Sequence, residues 1–155
     1  RAFAKVAGST PMKLRVAGVG PELNALRALS LELQIDSRVE FVGHVSDVAG
    51  FLSESDALIH AATSEAFGLV LVEALSQGVP VIATKTSGAV EIHAATGQIV
   101  LSGQGDILGM ASSIADLAKQ PVDPHPLIES VRQYSAASVA SQYIDFFQAV
   151  TGATP

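Results

Sequence analysis

Glu65 and Glu73 are separated by seven residues in the largely apolar stretch TSEAFGLVLVEALSQGVPVIA, Thr63 to Ala83. Glu65 falls in a short loop, whereas Glu73 sits inside the apolar run from Leu69 to Leu75. An ionised carboxylate buried alone is very costly, so such a group is paired, hydrogen-bonded or held at a site. Phe67, Gly68 and Leu69 mark the start of a helix, where the first N–H groups lack intrahelical acceptors. Those donors and the positive end of the helix dipole form an anion site. Gly68 lets a ligand approach the backbone closely. One short element thus offers amides for a phosphate and two carboxylates for hydroxyl groups. The set suits a nucleotide sugar, with diphosphate on the amides, sugar hydroxyls on Glu65 and ribose hydroxyls on Glu73. A plainer reading stands beside it, in which Glu65 complements the helix dipole and Glu73 pairs with an arginine.

The surrounding chain must position this stretch. Residues 1 to 7 read as helix, and Gly8 to Pro11 as a turn. Lys13 to Ala17 reads as a strand ending in Gly18-Val19-Gly20-Pro21, followed by a helix to Gln34 with apolar residues at helical spacing. Arg38 to Val42 is a second strand, and Ser46-Asp47 caps a short helix to Glu54. Asp56 to Ala61 is a third strand, apolar enough to be covered on both faces. The helix through Glu73 leads to a strand over Val79 to Ala83, and a loop with a short helical piece spans Thr84 to Ala94. A fifth strand, Gln98 to Leu101, precedes helices over Gly105–Lys119, Pro126–Tyr134 and Ala137–Val150, with a proline-rich bend between the first two of these helices.

Strands and helices alternate with short connections, which predicts α/β architecture: a Rossmann-like, doubly wound parallel sheet. Ligands of such folds bind beyond the carboxyl ends of the strands. A chain of 155 residues is expected to form a single domain, 1–155, with 121–155 as C-terminal helices. Mean hydropathy is +0.39, yet no apolar run is long enough to span a bilayer, so the excess must lie in a buried sheet or a covered surface. No signal peptide is visible. The net charge of −6 with nine Lys plus Arg argues against nucleic-acid binding. There is no cysteine, hence no disulfide and no thiolate metal site, which fits a cytoplasmic protein.

The segment SEAFGLVLVEALSQGVPVIAT resembles the signature of retaining glycosyltransferases of GT-B fold, family four, whose motif is Glu-x7-Glu followed by a Gly-x-Pro-Val-Ile strand. LRVAGVGPE, RVEFVGHVSDV, FLSESDALIHAATSE and GAVEIHAATGQIV resemble further pieces in the family's order, from Leu14 to Asp116. The resemblance implies a Rossmann-like donor-binding domain and a nucleoside diphosphate sugar (UDP-, GDP- or ADP-linked) as donor. It implies that Glu65 touches the donor sugar as the candidate catalytic residue. Phe67, Gly68 and Leu69 would hold sugar and diphosphate, and Glu73 the ribose diol. Val42 and Gly43 would lie at the base, and Gly18 and Gly20 would keep the turn below the nucleotide open. It further implies no metal or other cofactor, and same-face attack with retention and no side-chain nucleophile.

The chain departs from the family pattern at Ala61-Ala62, where Pro-Ser is usual, at Ala66, where Gly is usual, and at Ser87-Gly88, where two glycines are usual. It also starts after the strand that carries the family's diphosphate-binding Arg and Lys, so the expectation is an N-terminally truncated domain whose first central strand and acceptor domain are missing. Such a chain is expected to be nearly inactive alone. Its sheet is expected to close with the Lys13–Ala17 and Asp56–Ala61 strands adjacent, unless another chain or segment fills the slot. The expected partners are a nucleotide sugar and the missing N-terminal domain or a second copy, with no nucleic acid. The parent is placed in the cytoplasm, compatible with the inner membrane face. Two rival readings are a non-catalytic relic that oligomerises through its sheet and a nucleotide-sugar epimerase, the latter disfavoured by the Glu-x7-Glu helix. His60 reads as a hydrogen-bonded core histidine and His44 as a loop residue that could face a ligand. The four histidines have no metal-site spacing.

Overall fold

The computed structural model describes residues 1–152; Ala153 to Pro155, the end of the expected 121–155 helical segment, lie outside the described residues. The chain order is α1 (Ala2–Ala7), β1 (Leu14–Ala17), α2 (Leu23–Glu32), β2 (Val39–Gly43), α3 (Val48–Ser53), β3 (Leu58–His60) and α4 (Leu69–Ser76). There follow β4 (Val81–Thr84), α5 (Ser87–Thr96), β5 (Ile99–Ser102), α6 (Ile107–Leu117), α7 (Pro124–Ser130) and α8 (Ala136–Thr151). Short polar side chains start several helices, as helix capping requires. Asp47, Thr86 and Asp106 accept from the amides of Gly50, Ala89 and Gly109. The α5 helix is longer than the loop with a helical piece expected there; its Thr86 cap and Gly97 end (φ 68°) frame a sequence weakened as a helix signal by Gly88.

All strand pairs are parallel, but they fall into two sheets, β1–β2 and β3–β4–β5. The order matches a doubly wound sheet with a gap between β1 and β3, each of which bonds a single strand among the described residues. The sheet has not closed, so the expected adjacency of β1 and β3 is corrected, and of the two expectations the one in which another chain or segment fills the slot is left. Side-chain packing explains why. Phe3 and Val6 of α1, each 6% exposed, share one apolar cluster with Met110 and Ile114 of α6 and Ile82 of β4, and Leu14 of β1 and Ile59 of β3 pack against that cluster. Each such buried side chain contributes about 1.5–3 kcal/mol, so moving β1 against β3 would disturb a cluster that a residue of each sheet packs against. On another side Arg15 of β1 stacks over Phe51 of α3 at 4.2 Å and reaches Glu54 at 3.5 Å.

A second core joins α4, α5 and α7 to the sheet through Leu71, Leu75, Val81, Ala83, Ile92 and Leu127. β4, flanked on both edges, is buried throughout, whereas β3 is only half-buried. The expectation that β3 is covered on both faces is corrected by its place at a sheet edge. Among the described residues, no helix is long and apolar enough to cross a membrane.

Candidate functional site

The loop after β3 carries Glu65, and three neighbouring segments fix it. The Thr84 hydroxyl at the end of β4 donates to the Ala62 carbonyl. The Gln104 side-chain amide donates to the carbonyls of Thr63 (2.9 Å) and Lys85 (3.2 Å). The Gly88 amide, at the start of α5, donates to the Glu65 carbonyl at 3.1 Å. The backbone of Glu65 is thus anchored before its side chain is considered. Its Oε1 accepts from the Phe67 amide at 3.4 Å, and its Oε2 lies 3.9 Å from His60 Nε2. The Phe67 ring meets Tyr134 edge-on, centroids 5.8 Å apart, so the turn after α7 supports the same loop.

Gly68 enters α4 with φ 88°, and a Cβ there would lie 2.8 Å from Leu71 Cδ1. No side chain caps this end of α4. Leu71, Ala74 and Leu75 face the core, while Leu69 and Glu73, one turn apart, share the outer face. Glu73 is therefore half-buried rather than enclosed, which relieves the cost that its apolar surroundings suggested. Its carboxylate makes no ion pair and no side-chain hydrogen bond among the described residues, so the alternative pairing with an arginine is not found. Ala66 is tolerated because its φ is not positive; Gln34 (φ 56°) is the one such non-glycine among the described residues.

The remaining predicted positions form a second group at the carboxyl ends of β1 and β2. Gly18 (φ 123°) donates its amide to the Gly43 carbonyl at 2.6 Å, and Gly43 has φ 74°. Val42 is half-buried beside Gly43, and Gly20 is exposed. A shallow cavity of about 250 Å³ is lined by Val16, Gly18, Gly20, Pro21, Leu23 and Leu26. The structure brings Gly18 to Gly43 and Glu65 to Phe67 and Gly68; no hydrogen bond or ion pair links the two groups among the described residues.

His60 corrects the sequence reading. It is not a hydrogen-bonded core histidine: Nδ1 is buried without a partner, and Nε2 faces Glu65. His44 is exposed. Sequence reasoning also missed Thr84, Gln104 and Tyr134, whose roles depend on loops that meet only in the folded chain. Among the described residues, no group of His, Cys, Asp and Glu could hold a metal ion.

A family model described as "Glycosyl transferases group 1" matches residues 1–134. The chain is 35% identical over 150 residues to N-acetyl-alpha-D-glucosaminyl L-malate synthase of Bacillus anthracis, covering 92% of this chain and 39% of that protein's length. Its fold is similar to a glycosyltransferase from Rickettsia africae ESF-5, with a TM-score of 0.83 at 20% identity, over 99% of this chain and 43% of that one. It is also similar to the pneumococcal O-GlcNAc transferase GtfA in complex with UDP and GlcNAc, with a TM-score of 0.81 at 19% identity, over 97% and 32% of the two chains.

Proposed function

This chain belongs to the group 1 family of glycosyl transferases, and from that premise we propose that it is the donor-binding half of a retaining GT-B enzyme. The enzyme would move a sugar from a nucleoside diphosphate to an acceptor hydroxyl. The observation that carries this reading is the arrangement on one element: Glu65 anchored at the mouth of α4, an end without a side-chain cap, and the unpaired carboxylate of Glu73 one turn in. Uncapped amides suit a diphosphate, and a carboxylate without a protein partner suits a diol. In this reading Glu65 takes a sugar hydroxyl, Phe67, Gly68 and Leu69 take sugar and diphosphate, and Glu73 takes the ribose. Val42 and Gly43 lie at the base, while Gly18 and Gly20 leave room below it. No metal ion is required for donor binding.

Transfer itself is assigned to the longer protein, since the chain spans 39% of the length of the Bacillus relative. The test is calorimetric or NMR titration with UDP, GDP and ADP. Binding of one of them, weakened by E73Q, supports the proposal; no binding at millimolar nucleotide overturns it. A second reading, a non-catalytic module that associates through its sheets, is favoured by one observation, the edges of β1 and β3 that bond no strand among the described residues.

A further inference from the structure

We propose that His60 is a positioning residue for Glu65, its Nε2–H holding the carboxylate that receives the donor sugar. The inference rests on the nucleotide-sugar reading above. The register of β3 against β4 pairs Leu58 with Val81, Ile59 with Ile82 and His60 with Ala83. Alternation along a strand then puts His60 on the same face as Leu58, toward the core built on Val81 and Ala83. An apolar side chain fits that position without penalty. The imidazole instead leaves Nδ1 buried and unpartnered, a cost that a leucine would avoid.

The other ring nitrogen supplies the compensation. Nε2 points to Glu65 Oε2 at 3.9 Å, and the His60 side chain is 17% exposed against 34% for Glu65. Because Nδ1 meets no acceptor, the ring proton belongs on Nε2, where it can donate to the carboxylate. The opposite oxygen, Oε1, already takes the Phe67 amide at 3.4 Å, and the Glu65 carbonyl takes the Gly88 amide at 3.1 Å. The carboxylate is therefore approached at both oxygens, each of which keeps a lone pair for a ligand hydroxyl. The 3.9 Å separation exceeds a hydrogen bond, and binding would close it, as long contacts in unliganded sites commonly do.

The experiment compares wild type, H60L and H60Q by calorimetric titration with UDP and with UDP-N-acetylglucosamine. The Gln amide reaches about as far as Nε2 and keeps a donor; Leu fills the volume without one. We expect H60L to fold at least as stably as wild type and to bind UDP within about twofold of it. Its preference for the sugar nucleotide over UDP should fall roughly fivefold, and H60Q should restore most of it. A long-range ¹H–¹⁵N spectrum should place the proton on Nε2 and show that nitrogen shifting in E65Q. An unchanged sugar preference in H60L, a proton on Nδ1, or equal wild-type affinity for both probes overturns the role of His60 while UDP binding stands. A wild-type chain that binds neither probe, and neither GDP nor ADP, overturns the nucleotide-sugar reading, and this role with it.

Discussion

Gly88 and Phe67 touch through bare backbone: a Cβ on Gly88 would fall far inside van der Waals contact distance of the Phe67 carbonyl group. The same glycine donates its amide to the Glu65 carbonyl. The loop that carries Glu65 can seat itself on α5 only because this position has no side chain. Gly88→Ala should therefore push the loop outward, lower stability by about 1–3 kcal/mol, and weaken nucleotide-sugar binding. Thermal unfolding and titration read both effects; a variant with wild-type melting and binding would show that the loop yields freely.

Glu73 gives the complementary case. Its carboxylate has no protein partner among the described residues, so Glu73→Gln should change folding stability by less than about 0.5 kcal/mol. If the ribose diol is its ligand, the same change should weaken UDP binding roughly tenfold, the loss of a charged hydrogen bond. Unchanged affinity by calorimetry would remove Glu73 from the site.

Metal removal should have little effect. In the proposed mode the diphosphate is held by the amides of Gly68 and Leu69 at the start of α4, which need no cation. Titration of UDP in the presence of EDTA should give the same affinity as titration with added magnesium. A loss of binding in EDTA would show that an ion bridges the phosphates.

The edges of β1 and β3 lead to a prediction about association. Each carries backbone donors and acceptors that pair with no strand among the described residues, a template for another extended segment. Light scattering across a concentration series should show a mass rising above that of the monomer. A constant monomer mass would mean that the edges are satisfied by solvent alone.

The alternation of strands and helices was legible because each element announces itself locally. A polar cap such as Asp47 starts a helix, glycines such as Gly18 close a strand, and apolar runs mark the strands. The apolar run from Leu69 to Leu75 marks α4 for the same reason. What was not legible depends on residues distant in sequence. His60 was read as hydrogen-bonded because a strand end says nothing about which nitrogen will find a partner. The ties from Gln104 and Thr84 follow from the parallel register that brings the ends of β3, β4 and β5 together. The α5 helix was underestimated because Gly88 weakens helix propensity, while the reason for that glycine, the approach of Phe67, lies twenty-one residues earlier. The open gap between β1 and β3 reflects the apolar cluster of α1, α6 and β4, against which Leu14 of one sheet and Ile59 of the other pack.

The bridge made by α1 also divides the molecule's cooperativity. No ladder of hydrogen bonds crosses from β1 to β3, so the two sheets are coupled by side chains such as Phe3, Leu14 and Ile59 and by the Arg15–Phe51 stack. Such chains open in sub-global units with separate free energies. Hydrogen exchange should find the amides of β4, bonded within a three-stranded sheet, among the slowest, and those of β1 and β2 faster, exchanging as a unit. The pocket side formed by Gly18 and Gly43 would then breathe independently of the side formed by Glu65 and Glu73, and a ligand touching both would act as the missing crosslink.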